Sequence, residues 1–151
     1  MEKATEIGVS EVTFLLTEHS ERKKINLERY ERVVVAAMKQ SLQVYKPKLN
    51  PLIKFSEFIN QGITAQKLIA YCKSDENIIK VLKPKEDKVL LIGPEGGFSN
   101  EEFKLAFNHQ YIPVSLSKNR LRTETAGIVG LISMVNSVFL IFSFYLFFLL
   151  K

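Results

Sequence analysis

The sequence predicts an α/β domain built on a mainly parallel sheet. Three observations carry that expectation. Short apolar runs alternate with segments of helical periodicity, the pattern of strands joined by crossover helices. The run at residues 88–92, KVLLI, is almost continuously apolar, as suits a strand covered on both faces. That run stops in Gly-Pro-Glu-Gly-Gly with a helix start just after it, so a tight loop sits at the carboxyl end of a strand, where such sheets bind ligands.

Each element follows from local chemistry. Residues 1–8 read as the last turns of a helix with Gly8 as the stop. Residues 11–17, EVTFLLT, read as a buried strand. In residues 27–45, Leu27, Tyr30, Val34, Ala37, Met38, Ser41, Leu42 and Tyr45 recur at helical spacing on one face, and Pro47 ends that helix. Residues 51–55 form a short strand, after which Ser56 caps a turn of helix through Asn60. QKLIAYC, 66–72, is a strand that carries Cys72 as a buried thiol, and Asp75 caps a helix through Leu82. Residues 88–92 form the central strand, and Ser99 with Glu102 forms a capping box for the next helix. Residues 111–116 are a further strand, and Thr123 starts a final helix.

The 151 residues suit one domain, and an apolar content of 46% is enough for a core at this length. A single cysteine excludes an intrachain disulfide and a thiolate zinc site, and His19 and His109 do not make a metal cluster. The net charge of +5 permits a nucleic-acid partner, although the cations are scattered rather than gathered in an arginine-rich tail. The first twenty residues mix charged and polar side chains, unlike a secretory signal.

Two loops fall at the carboxyl ends of predicted strands. In residues 93–97, three glycines permit positive φ and close approach of another molecule, and the amino end of the following helix points to the same region. The lysine and Ser/Thr pair of a phosphate loop is missing. A plain turn and a ligand-touching loop both fit. The second loop, in SLSKNRLRTETAG, places Lys118, Arg120 and Arg122 just ahead of a helix start, where cations oppose the helix dipole. RNA phosphate would answer those charges, as would an ion pair with Glu95 or Glu124, or plain solvation.

Taken together, IGPEGGFSNEE and, about twenty residues on, LRTETAG are similar to the ribosomal RNA small subunit methyltransferase E family, of the knotted SPOUT class. KATEIGVSEV, EHSERK and AMKQSLQVYKPKLN resemble further segments of that family in the same order, so the resemblance covers about residues 2–136. It implies an α/β domain with a C-terminal trefoil knot, a rare exception to unknotted topology, with residues 116–136 as the threaded part. It also implies a homodimer and S-adenosylmethionine-dependent methylation of N3 of a uridine in small-subunit ribosomal RNA. Carried over by motif, the cofactor site comprises Leu91, Ile92, Gly93, Pro94, Glu95, Gly96 and Gly97. From the second loop it takes Ser115, Leu116, Ser117, Asn119, Arg120 and Leu121. The catalytic candidates are Arg122, then Arg120, with Glu124 to orient an arginine or accept a proton; Arg22, Lys23 and Lys118 face RNA. The implied partner is the small ribosomal subunit and the implied location the cytoplasm, with no metal.

Two departures from the family stand out. Its members carry a β-rich, PUA-like RNA-binding domain ahead of the KATEIGV segment, near which this chain begins. A fragment that folds and binds cofactor with little or no catalysis therefore remains an alternative. Residues 125–150 carry no charge. The expected division is a methyltransferase domain over residues 1–136 and a hydrophobic tail over 137–151. Residues 137–150, at about 21 Å as helix, are short of a bilayer core of about 30 Å, so a membrane anchor is the less favoured reading of the tail.

Overall fold

A computed structural model describes residues 1–137 together with the backbone of residues 144–147. The elements run, in chain order, α1 (Glu2–Ile7), β1 (Glu11–Leu16), α2 (Leu27–Ser41), β2 (Lys48–Lys54), α3 (Phe55–Ile59), β3 (Gln66–Ala70), α4 (Ile78–Val81), β4 (Lys88–Leu91), α5 (Asn100–Asn108), β5 (Ile112–Val114), α6 (Thr123–Asn136) and β6 (Phe144–Phe147). The strands form one sheet of order β2-β1-β6-β4-β3-β5, and every pairing is parallel. The predicted class therefore holds.

Alternation along the strands builds a layer on each side of the sheet. Val12, Phe14, Leu68, Leu90 and Val114 join Ala4 of α1, Ile78 of α4 and Leu131 and Met134 of α6 in one core. Leu15, Ile69, Val89 and Leu91 join Phe55, Phe58 and Ile59 of α3 and Ala106 of α5 in the other. Pro51 lies in β2, at the sheet edge, where a missing N–H costs no ladder bond to a further strand. Gly8 closes α1 in the left-handed region, with φ 99°.

The central position belongs to β6. Tyr145 and Leu146 are in register with Val89 and Leu90 on one side and with Glu11 and Val12 on the other. Four residues of the apolar C-terminal run are thus part of the sheet rather than apart from it. Residues 138–143 and 148–151 of the expected tail lie outside the described residues.

Several boundaries differ from expectation. Helix α2 stops at Ser41 because Leu42 turns left-handed, φ 56°, and its N–H bonds back to the Met38 carbonyl. Leu42 and Tyr45, expected on the apolar face, are 87% and 84% exposed. Asn77, not Asp75, caps α4 by accepting from the Ile79 N–H. Helix α3 begins after Lys54 with no side-chain cap. Cys72 is exposed rather than buried, because β3 ends at Ala70 and the chain has already turned away from the core.

Candidate functional site

Because the strands are parallel, the loops after β1, β4 and β5 gather at one end of the sheet. The β4 loop, residues 93–97, turns through a bond from the Gly97 N–H to the Pro94 carbonyl, 2.8 Å. Gly97 has φ +72° and open space beside it. The glycine positions on either side of Glu95 have other reasons. A Cβ on Gly93 would sit 3.2 Å from the Phe98 ring, and one on Gly96 would sit 3.0 Å from His19 Cβ. Their missing side chains make room for the protein itself, and Gly97 alone of the three faces open space.

The β5 loop is held from beneath. The Ser115 N–H donates to the Glu76 carbonyl at 2.7 Å, and the Ser115 carbonyl accepts from Ile78 N–H at 3.0 Å. The Ser115 hydroxyl donates to the Ser117 carbonyl, and the Ser117 hydroxyl accepts the Asn119 N–H. These bonds order residues 115–119 without drawing on the apolar side chains of Leu116 and Leu121, which stay half-buried.

Two contacts join the loops. The Arg120 guanidinium donates from Nη2 to the Glu95 carbonyl at 2.8 Å. The Thr123 hydroxyl, in the first turn of α6, donates to the Gly93 carbonyl at 3.0 Å. So Arg120 answers a main-chain carbonyl, which accounts for one of the cations ahead of the α6 amino end. Arg122 occupies the N-cap position of α6 with its side chain exposed; Glu124, in the first turn of that helix, Lys118 and Asn119 are exposed as well. Leu91, Ile92 and Pro94 are buried at the root of the β4 loop, while Glu95 and Gly96 are exposed. Arg22 and Lys23 lie on an exposed segment beyond the β1 loop.

Three contributors escape a reading of the sequence. His19 packs on Gly96 and brings its Nδ1 to 3.1 Å from the Gly97 carbonyl. Glu102 closes the predicted capping box with Ser99 and also accepts the Glu18 N–H at 2.9 Å. Thr123 bridges to Gly93. The signal for His19 is its place in EHSERK; for Glu102 and Thr123 the helix-start pattern explains the residue without its second contact. A separate cavity of about 540 Å³ lies at the opposite end, lined by Glu11, Lys48, Asn50, Phe58 and Asp87 among others. It opens at the amino ends of β1, β2 and β4, the end parallel sheets do not use for cofactors. Among the described residues no cluster could hold a metal ion.

A family model described as an RNA methyltransferase domain matches residues 1–135. The chain belongs to that family. The matched stretch of this RNA methyltransferase domain contains all three loops and ends before β6. The chain is similar to ribosomal RNA small subunit methyltransferase E of Buchnera aphidicola subsp. Acyrthosiphon pisum, 30% identical over 141 residues, covering 89% of this chain and 56% of that protein. Among solved structures it resembles a probable rRNA-methyltransferase from Porphyromonas gingivalis, 42% identical with a TM-score of 0.79, over 86% of this chain and 57% of that one. It also resembles ribosomal RNA small subunit methyltransferase E from Neisseria gonorrhoeae bound to S-adenosyl methionine, 28% identical with a TM-score of 0.83, over 89% of this chain and 58% of that one. The chain spans just over half the length of these relatives.

The residues at the strand ends suit a sulfonium nucleotide. They offer main-chain groups of the 93–97 and 115–121 loops, open space beside Gly97, and half-buried leucines to cover an adenine ring.

Proposed function

We propose that this RNA methyltransferase domain binds S-adenosylmethionine between the 93–97 and 115–121 loops and methylates N3 of a uridine in small-subunit ribosomal RNA. The observation that carries the proposal is the pair of bonds from Arg120 to the Glu95 carbonyl and from Thr123 to the Gly93 carbonyl. They make one site from loops on β4 and β5, which are separated in the sheet by β3. The Neisseria relative, bound to S-adenosyl methionine, supplies the ligand class.

The cofactor supplies an electrophilic methyl group. The protein's part is to hold the base in line with it and to favour loss of the N3 proton. Arg122, exposed at the start of α6, places a cation where the deprotonated imide carries negative charge. Glu124, in the first turn of the same helix, orients that arginine or receives the proton. Arg120 is committed to the Glu95 carbonyl and shapes the cofactor loop. Lys118, Arg22 and Lys23 are exposed and meet RNA phosphate. The target base must be unstacked to enter.

The same reading includes a trefoil knot formed by the chain around residues 116–136, a homodimer, and a place of action in the cytoplasm, where ribosomal subunits are found. No helix among the described residues is long and apolar enough to cross a membrane. Methyl transfer to small subunits lacking the mark tests the proposal. The parent chain transfers methyl from the cofactor, and Arg122→Ala slows transfer by about 100-fold. A well-folded parent that transfers nothing overturns it.

A further inference from the structure

The loop after β1 is tied at two points to the segment after β4, once at the 93–97 loop and once at the start of α5, although β6 separates β1 from β4 in the sheet. A capping box needs one carboxylate oxygen of Glu102, and Oε2 meets that need by accepting the Ser99 N–H at 2.9 Å. The other oxygen, Oε1, reaches across to accept the Glu18 N–H, also at 2.9 Å. Next to it, His19 lies on the bare Cα of Gly96 with Nδ1 3.1 Å from the Gly97 carbonyl. The β1 loop is itself a stiff turn. Thr17 N–H donates to the Ser20 hydroxyl at 3.0 Å, the two hydroxyls are 2.8 Å apart, and Ser20 N–H returns to the Thr17 carbonyl at 3.2 Å. Immediately beyond the turn, the chain carries Arg22, Lys23 and Lys24, all exposed.

We infer that Glu102 is a positioning residue that clamps the root of this basic segment to the start of α5, directly after the 93–97 loop, so that RNA docking and cofactor binding reinforce each other. The inference rests on the proposed methyltransferase reading for its ligands but not for its geometry. A carboxylate can serve both N–H groups at once because each oxygen is an acceptor. A glutamine cannot, since its amide NH₂ would face one donor with another. Order imposed on the 93–97 loop by a bound cofactor is passed through Glu102 and His19 to residues 17–20, and RNA held on Arg22 and Lys23 passes it back. Linkage requires the effect to be equal in both directions.

The test compares the parent with Glu102→Ala, which removes both acceptors, and with Ser99→Ala as a variant that weakens the helix cap while leaving Oε1 on Glu18. Amide hydrogen exchange at Glu18 is read first: protected in the parent and in Ser99→Ala, fast in Glu102→Ala. Kinetics on small ribosomal subunits are read second. Glu102→Ala raises the KM for RNA about fivefold or more with kcat within about twofold, and the KM of Ser99→Ala stays near the parent's. Unchanged exchange at Glu18 in Glu102→Ala overturns the clamp. So does a Ser99→Ala variant that raises the KM equally with Glu18 still protected, since the effect would then belong to the helix start. A parent that neither binds S-adenosylmethionine nor transfers methyl overturns the functional reading instead, and the exchange result still decides whether the clamp exists.

Discussion

Gly130, in the middle of α6, faces β4 so closely that a Cβ there would lie 2.3 Å from Leu90 Cδ2. Replacing it with alanine pits two effects against each other. Alanine favours a helix interior over glycine by about 1 kcal/mol. Against that, the Leu90 methyl must retreat by about 1 Å to reach ordinary contact, and Leu90 is fully buried in a closed core. Overpacking of that kind costs about 1–3 kcal/mol, so the net expectation for Gly130→Ala is a loss of about 1 kcal/mol, or some 2–4 °C in Tm. Urea unfolding followed by circular dichroism measures it. The double variant with Leu90→Ala isolates the contact. Leu90→Ala alone costs about 2–5 kcal/mol, and the pair together should cost at least about 0.5 kcal/mol less than the separate losses added. A Gly130→Ala protein stabilised by the full helix-propensity gain, or strictly additive losses, would refute the argument.

Two other outcomes follow from the sheet. Lys88 is buried, with Nζ on the Glu86 carbonyl at 2.8 Å; burial lowers its pKa, with Glu86 and Asp87 pulling the other way. The folded chain thus releases this proton at lower pH than the unfolded chain does. Between the two values the unfolded chain holds more protons, so stability rises with pH toward the ordinary lysine value near 10.5. Lys88→Met removes that component: it is more stable than the parent at pH 7, and the gap narrows as urea midpoints are followed to pH 10. Parallel pH profiles would contradict this. At the sheet centre, Leu146→Pro deletes a ladder N–H from β6, between Val12 and Leu90. It should cost about 2–4 kcal/mol, and an unchanged urea midpoint would show that β6 does not hold this place.

Sequence alone reaches much of this fold because its signals are local. The Ser99 capping box, the Gly8 stop and the alternation that sends Leu90 and Leu91 to opposite faces each depend on a few neighbouring residues. The 93–97 and 115–121 loop segments are legible as motifs, but their joining through Arg120 and Thr123 spans 25 and 30 residues and leaves no local trace. Glycine is ambiguous for a physical reason. Gly93 and Gly96 look alike to a reader expecting a ligand, whereas their empty Cβ directions are filled by Phe98 and His19. The run FLIFSFYLFFLL defeats periodicity altogether, since a uniformly apolar stretch suits a core strand, a buried helix or a membrane segment equally. Leu42 shows the opposite failure: it continues the apolar stripe of α2 in sequence, but the backbone has already turned left-handed.

The strand at the middle of the sheet is also the last in chain order among the described strands. Until it emerges from the ribosome, β2-β1 and β4-β3-β5 are two half-sheets, each with an exposed hydrogen-bonding edge. Their union waits for residues 144–147, and a nascent chain halted before residue 144 would display both edges to chaperones and to its neighbours on the polysome.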